Sequence, residues 1–231
     1  MEGRYFCSQT THRLGMDAAA RWPGAAPHLP WHLDLSGYSG SLAPSVIFGA
    51  FAQAWLWWAE IAEITPVMVQ EVGEALVRKH FARIDGPNGV LAWSELADST
   101  MRPKTQRYDN GEHWTVEWFL QAVACHEIGH VLGLEHDSQN SKALMAPFIQ
   151  SDVRKPTDRD AARLLGLGYQ RRTTPIPTDP QPGPVPPWTI RLAVPVVAGG
   201  PFTGVSGSAL GIGDWRVMRA DDGPPPVIPP G

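Results

Sequence analysis

His-Glu-Ile-Gly-His-Val-Leu-Gly-Leu-Glu-His, residues 126–136, decides how this chain is read. Three of the chain's eight histidines stand here at fixed spacing. On a helix, His126 and His130 lie four residues apart on one face, so both imidazoles reach a common point. Glu127 sits beside the first of them, placed to serve as a base without binding an ion. Gly133 lets the chain leave the helix, and His136 returns as a third nitrogen ligand. Three protein ligands leave the fourth corner of a tetrahedral zinc open to water, which distinguishes a catalytic site from a closed structural one. A buried helix with two inward imidazoles needs a partner for those nitrogens.

The flanks agree. Val116, Phe119, Leu120 and Val123 recur at helical spacing, and the pattern predicts a helix over 115–132 with Thr115 as its N-cap. Ile128, Val131 and Leu132 supply apolar packing around the histidine pair, and Cys125 reads as a small hydrophobe. Met145 follows nine residues past His136, inside Ala143-Leu144-Met145-Ala146-Pro147. Helix, glycine exit, third histidine and downstream methionine together resemble the metzincin pattern. That resemblance implies that the Met145 thioether forms an apolar floor under the zinc ligands.

Size and composition are compatible with this reading. The chain has 231 residues, 43% of them hydrophobic, and ten tryptophans, enough for one substantial domain and an extension. A net charge of −4 offers no basic patch, so nucleic acid is not an expected partner. The longest apolar stretch, residues 46–62, contains Gln53 and Glu60 and is too short and too amphipathic to span a bilayer. Residues 1–7 carry no apolar signal core, so either the chain is not secreted by the usual route or it begins downstream of a leader. Two cysteines, Cys7 and Cys125, do not make a disulfide framework. A monomer is expected.

Along the chain, Trp31 to Leu35 alternates as a strand, and Ser36 to Pro44 is a loop. Ser45 opens a helix with Phe48, Phe51, Ala52, Trp55, Trp58, Ala59 and Ala62 on one face, closed by Thr65-Pro66. Val67–Val69, Ala75–Val77 and Val90–Trp93 are strand candidates, the last after the turn cluster Asp85-Gly86-Pro87-Asn88-Gly89. Thr157 and Asp160 are spaced like a capping box for a last helix ending near Leu165, before Gly166. From Thr173 a Pro-rich linker leads to residues 188–231, with one strand candidate at Ile190–Val197.

From Trp22 to Gly166 the chain resembles a matrixin, the matrix-metalloproteinase branch of the metzincins. Besides the histidine motif, Asp85-Gly86-Pro87-Asn88-Gly89-Val90-Leu91-Ala92 is similar to that family's Asp-Gly-Pro-Gly loop and the edge strand behind it. Tyr108-Asp109-Asn110-Gly111-Glu112-His113-Trp114-Thr115 is similar to its segment before the active-site helix. The resemblance implies an α+β, zincin-like metzincin domain: a twisted mixed sheet of about five strands with three helices, plus a Pro/Gly-rich C-terminal extension. The corresponding division is 1–22, a candidate propeptide remnant; 23–170, the catalytic domain; 171–187, the linker; and 188–231, a tail.

The resemblance further implies a structural calcium held by the carboxylates of Asp85, Asp109 and Glu112 and the carbonyls of Gly86, Asn88 and Val90. The family's second, structural zinc is expected to be absent, because Trp93 and Arg107 stand where its histidines belong and His80 is followed by Phe81-Ala82. Asp137 is more usual in the adamalysin branch, and Pro147-Phe148-Ile149 lacks the family's tyrosine. Cys7 lies near where a matrixin propeptide places its inhibitory cysteine, but Tyr5-Phe6-Cys7-Ser8-Gln9 lacks the surrounding motif; a free terminal cysteine and a zinc-blocking thiolate both stay open.

The implied activity is zinc-dependent hydrolysis of peptide bonds in proteins or peptides, with Glu127 as general base and secretion as the implied setting. A substrate strand would pair along Leu91-Ala92, and a hydrophobic side chain would enter between the active-site helix and the segment that includes Pro147 and Phe148. The alternative is a zinc-bearing pseudo-peptidase acting as a binding module through its Pro-rich tail, and the intact Glu127 argues against it. A serralysin would carry glycine-aspartate repeats downstream, which this tail lacks.

Overall fold

The structure, a computed structural model, describes residues 6–10 (as backbone only), 20–150 and 152–176. The strand candidate at Ile190–Val197, with the linker and tail beyond Ile176, lies outside the described residues.

Strand formation follows alternation. In β2 (His28–Asp34) Leu29, Trp31 and Leu33 point inward between more exposed neighbours. Helix α1 (Pro44–Ala59) follows, with proline in its first turn, where the missing N–H is not needed. It carries the chain across to β3 (Thr65–Met68), which pairs with β2 in parallel, as a crossover helix permits. Then come β4 (Val77–Ala82), β5 (Val90–Glu95) and β6 (Lys104–Asp109). Helix α2 (Glu117–Val131) carries the histidine pair, and α3 (Asp158–Gly166) closes the domain. An N-terminal strand, β1 (Phe6–Thr10), completes a six-stranded sheet ordered β1-β5-β6-β4-β2-β3. Only β5 and β6 are antiparallel neighbours; every other pair is parallel.

The core lies between the sheet and the helices α1 and α2. Trp22, Phe51, Trp55, Trp58, Tyr108 and Trp114 are its largest fully buried apolar residues, each worth about 1.5–3 kcal/mol on burial. Phe51 of α1 meets Tyr108 of β6 edge-to-face at 4.9 Å. The Trp58 indole N–H donates to the Cys125 carbonyl at 2.8 Å, tying α1 to α2 just before the histidine motif. Cys125 itself is wholly buried, and burial pushes its thiol up.

The α+β architecture, with five strands between His28 and Asp109 and three helices, is the one expected. Several local expectations need correction. Helix α1 stops at Ala59, well before Thr65-Pro66, which instead opens β3 at the sheet edge, where a proline removes no needed ladder bond. The N-cap of α2 is Val116, whose backbone is extended and whose side chain makes no cap bond, so Thr115 lies one residue too early. Strand β6 was not anticipated as a strand. The capping box of α3 is present in both directions between Thr157 and Asp160.

Candidate active site

Helix α2 brings His126 and His130 to one side, one turn apart, both wholly buried. It then ends at Leu132, and Gly133 takes a φ of 101°, a left-handed conformation that non-glycine residues rarely adopt. A Cβ at Gly133 would also strike the Ala20 carbonyl oxygen at 2.1 Å. That exit swings His136 back over the helix. The Nε2 atoms of His126 and His130 lie 3.1 Å apart, and those of His130 and His136 lie 3.3 Å apart. All three residues offer ligand atoms within 4.8 Å of one another.

The opposite ring nitrogens are committed elsewhere. The Nδ1–H of His126 donates to the Leu144 carbonyl at 2.7 Å, and that of His130 to the Leu134 carbonyl at 2.6 Å. With Nδ1 carrying the proton, Nε2 of both rings presents a lone pair to the common centre. Burial drives all three imidazoles toward the neutral form: His126 to about 3, His136 to about 4, and His130 well below its ordinary value. Three neutral, convergent imidazoles, two of them with Nε2 free of a proton, fit a zinc ion. Glu127 is buried on the same helix.

Met145 is fully buried against Gly129, one residue before His130. A Cβ on Gly129 would stand 2.4 Å from the Met145 sulfur and 3.0 Å from Trp58, so only glycine lets the thioether slide under the ligand pair. The turn bearing Met145 is held by Asp160, whose carboxylate accepts from the backbone N–H of Leu144 at 2.9 Å and of Met145 at 3.2 Å. The same carboxylate accepts from the Thr157 N–H and hydroxyl. Asp137 donates its N–H to the Met145 carbonyl at 2.7 Å, and its carboxylate pairs with Arg159, whose guanidinium holds the carboxyl below the usual range. Gly129 and the second role of Asp160 were missed in the sequence. An isolated glycine within a helical pattern was the available signal for the first.

The matrixin family profile matches residues 27–164, more than half of the chain. The chain belongs to the matrixin family. It is similar to stromelysin-3 of Mus musculus, at 36% identity over 143 residues, covering 55% of this chain and 28% of that protein. Matrix metalloproteinase-26 of Homo sapiens is 32% identical over 130 residues, covering 51% of this chain and 48% of that one. For matrix metalloproteinase-19 of Homo sapiens the figures are 30% over 177 residues, 63% and 34%. The chain thus spans about half or less of the length of these relatives.

The other expected matrixin site residues fall as follows. Asp85, Gly86 and Asn88 lie in one loop, with Val90 opening β5 behind it; Asp109 ends β6, and Glu112 lies in the loop that follows. Gly111 packs so closely that a Cβ there would meet the Gly86 Cα at 2.8 Å. Asp109 accepts from the N–H groups of Asp85 (2.8 Å), Gly86 (2.7 Å) and Gly111 (2.7 Å), which lower its carboxyl against the opposing effect of burial. Glu112 accepts from Gly89 N–H at 3.1 Å, and Asp85 from Val90 N–H at 3.0 Å. The three acids are gathered, but each is turned onto backbone amides; among the described residues the one group arranged to hold a metal is the histidine trio.

His80 faces Arg107 across β4 and β6, and Arg107 faces Trp93 across β5, so a cationic guanidinium occupies the middle of that row. Leu91 and Ala92 are buried, while Pro147 is half-buried and Phe148 is 38% exposed. Strand β5 is not the sheet edge. β1 lies outside it in parallel, pairing Phe6 with Val90 and Ser8 with Trp93, and its register breaks opposite Leu91-Ala92. The Cys7 backbone falls at that break; its side chain lies outside the described residues.

Proposed function

We propose that this chain is a zinc-dependent endopeptidase acting on protein or peptide substrates. The observation that carries the reading is the histidine trio: three Nε2 atoms converge, with two of the three rings locked from behind by backbone carbonyls. Zinc held by His126, His130 and His136 would supply Lewis acidity to a water and to the scissile carbonyl. Glu127 is the base that takes the proton and later returns it to the leaving amine, from a position fixed by α2. Met145 and Gly129 keep the ligand pair seated, and burial keeps the imidazoles neutral and able to ligate.

Substrate would enter as a strand along β5, with a hydrophobic side chain directed past Pro147 and Phe148. Because β1 covers that edge, the N-terminal segment acts as a propeptide whose strand must leave before substrate pairs, while Trp22 stays buried in the core. Residues 23–170 are the catalytic domain, 171–187 a linker and 188–231 a tail. Calcium would be held at the facing loops by the carboxylates of Asp85, Asp109 and Glu112, giving up hydrogen bonds from backbone amides, with the carbonyls of Gly86, Asn88 and Val90. No second zinc is bound, since Arg107 stands in its place. The chain acts as a monomer in an extracellular setting.

The test is casein hydrolysis by Glu127→Ala. Zinc should stay bound while kcat falls by about 10²–10⁴-fold, the usual contribution of a positioned acid-base. Cleavage at the wild-type rate would remove Glu127 from the mechanism.

A further inference from the structure

Three polar side chains stand in one row across the core side of the sheet. Lys79 of β4 is 1% exposed, and its Nζ donates to the Gln106 side-chain oxygen. Gln106 is its register partner on β6, and the Gln106 amide N–H donates to the Ser94 hydroxyl at 2.9 Å. Ser94 is the register partner of Gln106 on β5, and its hydroxyl donates to the Glu127 carbonyl at 3.3 Å. Ser94, Gln106 and Glu127 are wholly buried. The Tyr108 hydroxyl adds a 3.4 Å bond to the Gln106 oxygen. Around the Lys79 amine lie the rings of Trp55, at 5.0 Å, and Phe51, at 5.8 Å.

This row departs from what a core normally contains. An apolar row of the same volume would pack without desolvating an amine, an amide and a hydroxyl, and burying a lysine among neutral partners is unfavourable. Burial pushes the Lys79 amine well below its ordinary value, and the one charge acting against that shift is the Glu127 carboxylate. Both the hydrogen-bond relay and the electrostatic attraction end on the same residue. Departures from local rules of this kind concentrate at functional sites.

We propose that Lys79, acting through Gln106 and Ser94, is a positioning residue that fixes the Glu127 turn of α2 against the sheet and thereby sets where its carboxylate stands. The proposal rests on Glu127 being the base of a peptidase. In it Lys79 touches neither substrate nor ion.

The experiment compares Lys79→Met with a triple variant, Lys79→Ile with Gln106→Val and Ser94→Ala, both in the full chain loaded with zinc. The triple leaves no polar partner stranded, so a merely structural role predicts full activity for it. A positioning role predicts that both variants keep their zinc and an unchanged KM while kcat falls about tenfold, the scale of losing an outer supporting contact. Wild-type kcat in the triple variant overturns the proposal. Should the wild-type chain cleave nothing, the peptidase reading fails by itself. Amide hydrogen exchange over 124–131 then decides: faster exchange in the triple variant supports the tether, and equal exchange overturns it. If the triple does not fold, Ser94→Ala alone is read in the same two ways.

Discussion

Two loop-and-helix assemblies near the sheet treat their polar atoms in opposite ways. Around α2, each ring nitrogen facing away from the centre in His126 and His130 is tied to a carbonyl, and the nitrogens facing inward meet only one another. In the facing loops at 85–90 and 109–112, the carboxylates are already satisfied by amides of Asp85, Gly86, Gly89, Val90 and Gly111. Lone pairs held together without a proton are unfavourable until an ion fills the centre, whereas amide-capped acids fold without one. On the proposed reading the histidine site therefore depends on zinc, whereas a cation at the acidic loops would add only moderately.

The largest expected effect is from removing zinc. At free zinc a thousandfold above Kd, binding stabilises the folded state by about 4 kcal/mol. For a domain of this size that corresponds to a fall in Tm of about 8–16 °C on adding a zinc chelator, read by calorimetry. An unchanged Tm would erase the contrast between the two regions.

Next comes Gly129→Ala. Its Cβ would meet the Met145 sulfur at 2.4 Å and Trp58 at 3.0 Å, so the floor must shift. The expected loss is about 1–3 kcal/mol in denaturant unfolding, together with weaker zinc retention. Retained stability would mean that the methionine turn is loosely seated.

pH sharpens the comparison further. His126 and His136 titrate near 3 and 4 when folded, and His130 lower than usual, against 6.5 when unfolded. Below 6.5 the unfolded chain therefore binds more protons, and the stability of the zinc-free chain should be complete above that pH and fall as pH drops through 4. His80 contributes in the same direction. The depressed carboxyls of Asp109 and Asp137 add to the loss only below 3.8. Zinc-free Tm measured between pH 7 and 4.5 checks this; a flat profile would contradict neutral, buried imidazoles.

The smallest effect is calcium. A tenfold excess over Kd adds about 1.4 kcal/mol, or a Tm change of about 3–6 °C on adding a calcium-selective chelator. A shift as large as that for zinc would mean that the amide-capped acids are a poor picture of the loop.

Much of this was legible in the residues because the chemistry is local. The spacing of His126 and His130, the glycine exit at Gly133, and the Thr157–Asp160 pair each need only a few neighbours, and each stands as read. Strand β6 was illegible because its inward residues include Lys104 and Gln106, which carry no apolar alternation; only the strands on either side explain their burial. Gly129 was passed over, since its reason, the Met145 sulfur, lies outside the helix that carries it. The end of α1 was misplaced because Ala62 and Ile64 are apolar and buried although the helix has already stopped. Strand β1 pairs with β5 some eighty residues away, a separation that no local pattern encodes.

Native mass spectrometry of the full chain reconstituted with zinc tests the histidine centre most directly. One zinc per chain is expected in the wild type and in Glu127→Ala, and none in His130→Ala. A wild-type chain that takes up no zinc, or a His130→Ala variant that keeps it, would contradict a metal centre built on these three imidazoles.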